Sequence, residues 1–67
     1  MSIKVIYDYE NKQYEFKEKE LKAKEILKKL NILSNTVLLK KNNKIITEED
    51  TVKEGETLEI IRIISGG

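Results

Sequence analysis

Apolar and polar residues alternate over positions 3–9, with Ile3, Val5 and Tyr7 on one side and Lys4, Ile6 and Asp8 on the other. A period of two predicts a strand. Glu10-Asn11-Lys12 then reads as a turn. Tyr14 and Phe16 alternate with Gln13, Glu15 and Lys17, which completes a hairpin. The period changes at residue 23. Ala23, Ile26, Leu27 and Leu30 fall at i, i+3, i+4 and i+7, the stripe of an amphipathic helix. Lys22, Lys24, Glu25, Lys28 and Lys29 take its solvated side. Asn31 suits the left-handed residue that closes a helix, and lysines in the last turn suit the dipole. No good N-cap residue precedes the stripe, which leaves the helix start undefined by about a turn.

Strand character returns over Thr36–Lys41, with Val37 and Leu39 pointing inward. Asn42-Asn43 tolerates positive φ and predicts a tight turn into a short strand, Lys44-Ile45-Ile46. Thr47-Glu48-Glu49-Asp50 is polar and reads as a loop or a helical turn. Val52 stands as an isolated apolar anchor. Glu54-Gly55 turns the chain into a last strand, Thr57–Ile64. The order β-β-α-β-β-β is that of an α+β domain: one helix packed across a mixed sheet of four or five strands. The expected core is Ile3, Val5, Tyr7, Tyr14, Phe16, Ala23, Ile26, Leu27, Leu30, Ile32, Val37, Leu39, Ile45, Val52, Leu58 and Ile60.

Length and composition then narrow the chemistry. With 67 residues and neither cysteine nor histidine, the fold has no disulfide, no thiolate metal site and no imidazole base to draw on. A domain this small buries only about 60% of the surface its unfolded chain exposes, so its core must suffice alone. Thirteen basic against twelve acidic residues give a net charge of +1, which argues against nucleic-acid binding. No apolar run approaches the ~20 residues of a membrane span, and residues 1–6 do not read as a signal peptide. A cytoplasmic protein is expected.

Few side chains suit catalysis. A nucleophile–base pair would have to come from Ser, Thr, Lys, Tyr and carboxylates. Glu48-Glu49-Asp50 is a carboxylate cluster whose plain reading is a solvated loop. The helix lysines read as a solvated face, diluted by Glu18, Glu20 and Glu25, with no interleaved aromatic for stacking on bases.

The last strand says more. If Leu58 and Ile60 point inward, Thr57, Glu59, Ile61 and Ile63 point outward. Ile61 and Ile63, beside Leu38 on the third strand, then form an apolar patch of the kind that marks a protein contact, unless a loop or a second copy covers it. The sequence closes on Ser65-Gly66-Gly67. At roughly 7% average glycine usage, two consecutive glycines are a ~0.5% coincidence. A frayed end is the plain reading. The chemical reading is a segment without Cβ atoms that can thread a narrow channel and present a main-chain carboxylate to another enzyme.

Taken together, Glu25–Ile32, Val37–Ile46, the run Asp50-Thr51-Val52-Lys53-Glu54-Gly55-Glu56-Thr57-Leu58-Glu59-Ile60 and the closing Arg62-Ile63-Ile64-Ser65-Gly66-Gly67 resemble the ThiS/MoaD-type ubiquitin-like sulfur carriers, including the archaeal small modifier proteins. The resemblance implies a β-grasp (ubiquitin-like) domain over residues 1–64 and a flexible tail over 65–67. It implies a non-enzymatic carrier whose Gly67, next to Gly66, is adenylated by a ubiquitin-activating-type enzyme and converted to a thiocarboxylate. That group would supply sulfur for thiamine thiazole, tRNA thiolation or molybdopterin synthesis. No cofactor is expected to be bound; ATP is consumed by the activating partner. Arg62, Ile63, Ile64 and Ser65 would be threaded into that partner, and a sulfur-accepting synthase or thiolase would be the next one. Two rival readings share the sequence: a modifier joined through Gly67 to protein lysines, and a β-grasp interaction module whose Gly-Gly end is incidental. The chain departs from the family at the helix start, where Leu21 or Lys22 stands for the usual Thr or Ser, and at Asn43, where the usual residue is glycine. The first departure should weaken capping by about 1 kcal/mol.

Overall fold

The structure is a computed structural model that describes residues 1–63. In chain order the elements are β1 (Ile3–Tyr7), β2 (Lys12–Phe16), β3 (Glu20–Lys22), α1 (Ala23–Lys29), β4 (Val37–Lys41), β5 (Lys44–Ile46), β6 (Thr51–Lys53) and β7 (Thr57–Arg62), with 3-10 turns at Asp8–Glu10 and Ser34–Thr36. Five strands form a mixed sheet in the order β2-β1-β7-β4-β5. β1 and β7 run parallel at its centre, and every other pairing is antiparallel. The α+β sheet-and-helix architecture read from the sequence is therefore present, with five strands in the main sheet.

Register puts the inward residues of each strand in contact. Val5 lies opposite Leu58 and Tyr14, and Ile60 lies between Tyr7 and Leu39. Ile3, Val5, Ala23, Ile26, Val52, Leu58 and Ile60 are fully buried, and Tyr14, Phe16, Leu30, Ile32 and Ile46 close the edges of the cluster. One expected core residue is misplaced. Ile45 is 59% exposed. Asn42 and Asn43 both adopt positive φ, 53° and 66°, in a two-residue turn that pairs Lys41 with Lys44, Lys40 with Ile45 and Leu39 with Ile46. Ile46 thus shares the inner face with Leu39, and Ile45 is sent to the outer face.

A second, two-stranded sheet pairs β3 with β6 and sets Leu21 opposite Val52. Val52 is therefore a strand residue rather than an isolated anchor. Leu21, read as the helix start, is instead a buried strand residue that joins the core. This small sheet also explains how the helix begins without a capping side chain. The amides of Ala23 and Lys24 donate to the carbonyls of Asp50 and Glu48 at 2.8 and 2.9 Å, so the loop before β6 meets two of the free helical donors. Glu25 Oε1 accepts the Lys22 amide at 2.9 Å. The cap missing from the sequence is supplied by backbone from a distant loop. At the other end Asn31, at φ 60°, closes a Schellman motif: Ile32 N–H donates to Leu27 O at 2.9 Å and Asn31 N–H to Lys28 O at 3.1 Å.

Asp50, Gly55 and Glu56 of the run Asp50–Ile60 each have a local task. Asp50 Oδ2 accepts the Thr47 amide at 2.9 Å and closes the loop. Gly55, at φ 86°, donates its N–H to Ser2 O at 2.9 Å, tying the loop to the start of β1. Glu56 Oε1 accepts the Lys53 amide at 2.7 Å and lies 3.6 Å from Lys41 Nζ, which itself donates to Thr51 O at 2.9 Å. The Lys53 amide foremost, then Lys41, hold the Glu56 carboxyl below its ordinary value against the opposing effect of burial.

Leu21→Ala is expected to cost about 2 kcal/mol in urea unfolding and to speed hydrogen exchange at the Ala23 and Lys24 amides. Because the folded state favours ionised Glu56, its contribution is present above the unfolded-state value and is lost as pH falls through the depressed folded one. Glu56→Gln should therefore lower stability by about 0.5 kcal/mol at pH 7. The gap from the wild type should close on acidification, as read by thermal melts across the acid range.

Candidate functional site

The candidate site is the end of the sheet where β7 finishes, because Leu38, Ile61, Arg62 and Ile63, the described residues among those singled out for partner contact, map to that end. β7 pairs with β1 over Thr57–Ile60 and with β4 over Leu58–Arg62, so its last two residues, Ile61 and Arg62, are held by β4 alone. Its outward row is Thr57, Glu59, Ile61 and Ile63. Leu38 lies directly opposite Ile61, as the alternation required, and both are half-buried. Ile63 follows at 47% exposure, with its N–H donated to Thr36 O at 3.0 Å. The expected apolar patch of Leu38, Ile61 and Ile63 is thus assembled on the outer face. Ile45 reaches the same face one strand further on, opposite Lys40.

Beside this patch on the outer face stands a carboxylate pair. Glu59 has its carboxyl raised above the ordinary value, chiefly through a hydrogen bond with Asp8, then by burial and the Asp8 charge, with Lys40 opposing. The Lys40 opposition fits the register, which sets Lys40 across from Glu59.

Arg62, which the sequence reading puts both in the last strand and among the residues threaded into a partner, is the last residue of β7, opposite Val37, in the inward row after Leu58 and Ile60. The helix stops at Lys29 and does not cover that position, so Arg62 is exposed where its two predecessors are fully buried. Its guanidinium carbon lies 4.2 Å from the centroid of the Tyr9 ring, a cation–π distance. Tyr9 in turn meets Tyr7 at 6.1 Å between centroids, tilted by 41°. Arg62 and Tyr7, but not Tyr9, line a shallow groove of about 300 Å³ together with Glu10, Tyr14, Leu30 and Leu33. Tyr9 and Leu33, 56% and 70% exposed, are the site residues that the sequence did not disclose. Both sit in or beside 3-10 turns, where neither period applies; a large apolar residue in a polar turn was the available signal.

The other candidate features resolve plainly. In the acidic cluster Asp50 closes its own turn, and Glu49 pairs with Lys24 at 3.2 Å. On the helix, Lys29 pairs with Glu18 at 3.5 Å. No group of three or more His, Cys, Asp or Glu among the described residues could hold a metal ion. No described helix is long and apolar enough to cross a membrane. Ile64, Ser65, Gly66 and Gly67 lie outside the described residues.

Comparison with known proteins bears on the whole chain. The chain is similar to the crystal structure of the thiamine biosynthesis protein ThiS from Geobacter metallireducens, with a TM-score of 0.71 and 22% identity, covering 100% of both chains. At that identity the likeness establishes a shared fold. The model of the ThiS family matches residues 6–67, which takes in β7 and both closing glycines. The chain belongs to the ThiS family.

Proposed function

We propose that the chain is a sulfur carrier and that its reactive group is the α-carboxylate of Gly67. The observation that carries this reading is the family match extending through residue 67, over Gly66-Gly67. The architecture supports it: β7, braced on both sides, leads toward those residues beside an apolar patch fit for a partner.

The chemistry belongs to the main chain and to partners. A carboxylate oxygen of Gly67 attacks the α-phosphorus of ATP in a ubiquitin-activating-type adenylating enzyme, and pyrophosphate leaves. The terminal sulfur of a donor's persulfide attacks the resulting acyl carbon, and AMP leaves. A thiol then reduces the acyl disulfide, giving the thiocarboxylate on Gly67 and a disulfide on the donor side. The thiocarboxylate sulfur is passed to an acceptor synthase or thiolase. The solved relative is described as a thiamine biosynthesis protein, which supports thiazole formation as one acceptor reaction, beside tRNA thiolation and molybdopterin synthesis. Residues Gly66 and Gly67 contribute by having no Cβ, so they fit a narrow channel in any backbone conformation. The carrier itself supplies docking surface and no catalytic side chain.

Incubation with ATP, a sulfur donor and lysate from the source organism, followed by intact-mass measurement, tests the proposal. The full chain is expected to gain the mass difference of one oxygen replaced by sulfur, and a variant lacking Gly67 is expected to gain nothing. Lysine-linked conjugates without that shift would establish the modifier reading instead. An unchanged mass in every form would leave the interaction-module reading.

A further inference from the structure

We infer that the outer face of the five-stranded sheet is a self-complementary surface on which a second copy of this chain packs, about a two-fold axis that runs between β4 and β7 and parallel to them. The inference stands apart from the sulfur-carrier reading, because strand register and charge carry it.

Three observations lead there. First, the core lies on one side of the sheet only. The helix and the β3–β6 sheet join it through Ala23, Ile26, Leu27, Leu21 and Val52, all packed with the inward rows. On the outer face Ile6, Leu38, Lys40, Glu59 and Ile61 are half-buried, and Ile45 is 59% exposed.

Second, the outer rows are palindromic in chemistry. Across β1, β7, β4 and β5 one row runs Ile6, Glu59, Lys40, Ile45. One step further along β7, Ile61 lies beside Leu38. Rotation about the stated axis lays β4 of the second copy on β7, and its β5 on β1. Glu59 then faces Lys40 of the second copy, and Lys40 faces Glu59. Ile6 meets Ile45, Ile61 meets Leu38, and each of these contacts occurs twice. Apolar residues therefore fall on apolar ones and acid falls on base, as a two-fold interface requires. A two-fold axis laid across the strands along this row would set Glu59 on Glu59 and Lys40 on Lys40, and is disfavoured by like charge. Sheets pack face to face about 10 Å apart and turned by about 30°. The Glu59–Lys40 and Ile61–Leu38 positions lie nearest the axis, where that turn displaces them least.

Third, the two central charges are free to serve a second copy. Among the described residues, no ion pair engages Lys40 or Glu59. Asp8 crowds the Glu59 carboxyl, and only Lys40 opposes it. Lys40 of the second copy supplies a further cation at that point. The Asn42-Asn43 turn completes the arrangement, since its register is what sends Ile45 to the outer face to meet Ile6.

The test is sedimentation equilibrium of the full chain from about 10 μM to about 1 mM. A reversible dimer is expected, with Kd on the order of 100 μM for so small an interface. Glu59→Lys and Lys40→Glu each set like charges at both central contacts and should weaken self-association at least about tenfold. Mixed in equal amounts, these two variants should pair with each other about as strongly as the wild type pairs with itself, because acid again faces base at both contacts. The double variant Lys40→Glu/Glu59→Lys should dimerise like the wild type for the same reason. Ile45→Glu should weaken the dimer about tenfold with an unchanged melting curve, since Ile45 is exposed in the single chain. Lys28→Gln, on the helix, should match the wild type. A wild type that stays monomeric at about 1 mM overturns the inference, as do folded single variants that fail to pair with each other. Should a single variant fail to fold, Ile45→Glu decides, and dimerisation at wild-type strength in it overturns the inference.

Discussion

The structure depends on β7 being hydrogen-bonded on both sides. Its parallel partner β1 comes from the start of the chain and its antiparallel partner β4 from the middle, so three distant segments are locked by one central strand. The inward side of that strand, Leu58 and Ile60, is fully buried against Val5, Tyr7 and Leu39. Parallel pairing needs a long crossover, and the chain between β1 and β7 provides it: the helix, the small β3–β6 sheet and the β4–β5 hairpin. With no cysteine for a disulfide, this shared strand is what joins three distant segments of a 67-residue chain into one sheet.

The small sheet does secondary but specific work. Pairing Leu21 with Val52 draws the 47–50 loop onto the first turn of the helix, where its carbonyls replace a capping side chain. The same region is tied to the hairpin through Lys41 and Glu56, and to the N-terminus through Gly55. Sequence features that look unrelated, a helix with a poor start and a polar run with a fixed glycine, are two sides of one contact. Electrostatics are arranged differently on the outer face, where Asp8 and Glu59 crowd together and only Lys40 offsets them.

Much of this was legible from the sequence where a single physical rule governs a residue. The left-handed turn at Asn42-Asn43 and the helix stop at Asn31 were readable because few residues tolerate positive φ. The inward rows of β1, β4 and β7 were readable because alternation persists for five or six residues. Three-residue strands are too short for a period to show, which is why β3 and β6 were missed and Leu21 was assigned to the helix. Ile45 failed for a related reason: in Ile45-Ile46 only the turn register decides which residue faces the core. At the site, the Leu38–Ile61 pairing followed from alternation, whereas the Arg62–Tyr9 stack joins a strand end to a turn and has no local signature.

On the proposed function, this sheet is the platform from which a main-chain carboxylate is presented to partners. The most direct measurement compares the chain with a semisynthetic form whose Gly67 carboxylate is an amide, in ATP–pyrophosphate exchange by the adenylating enzyme. The expected result is exchange with the carboxylate form and none with the amide, which should still compete for the enzyme because its docking surface is intact. Equal exchange with both forms would contradict the proposal that the carboxylate of Gly67 is the reactive group.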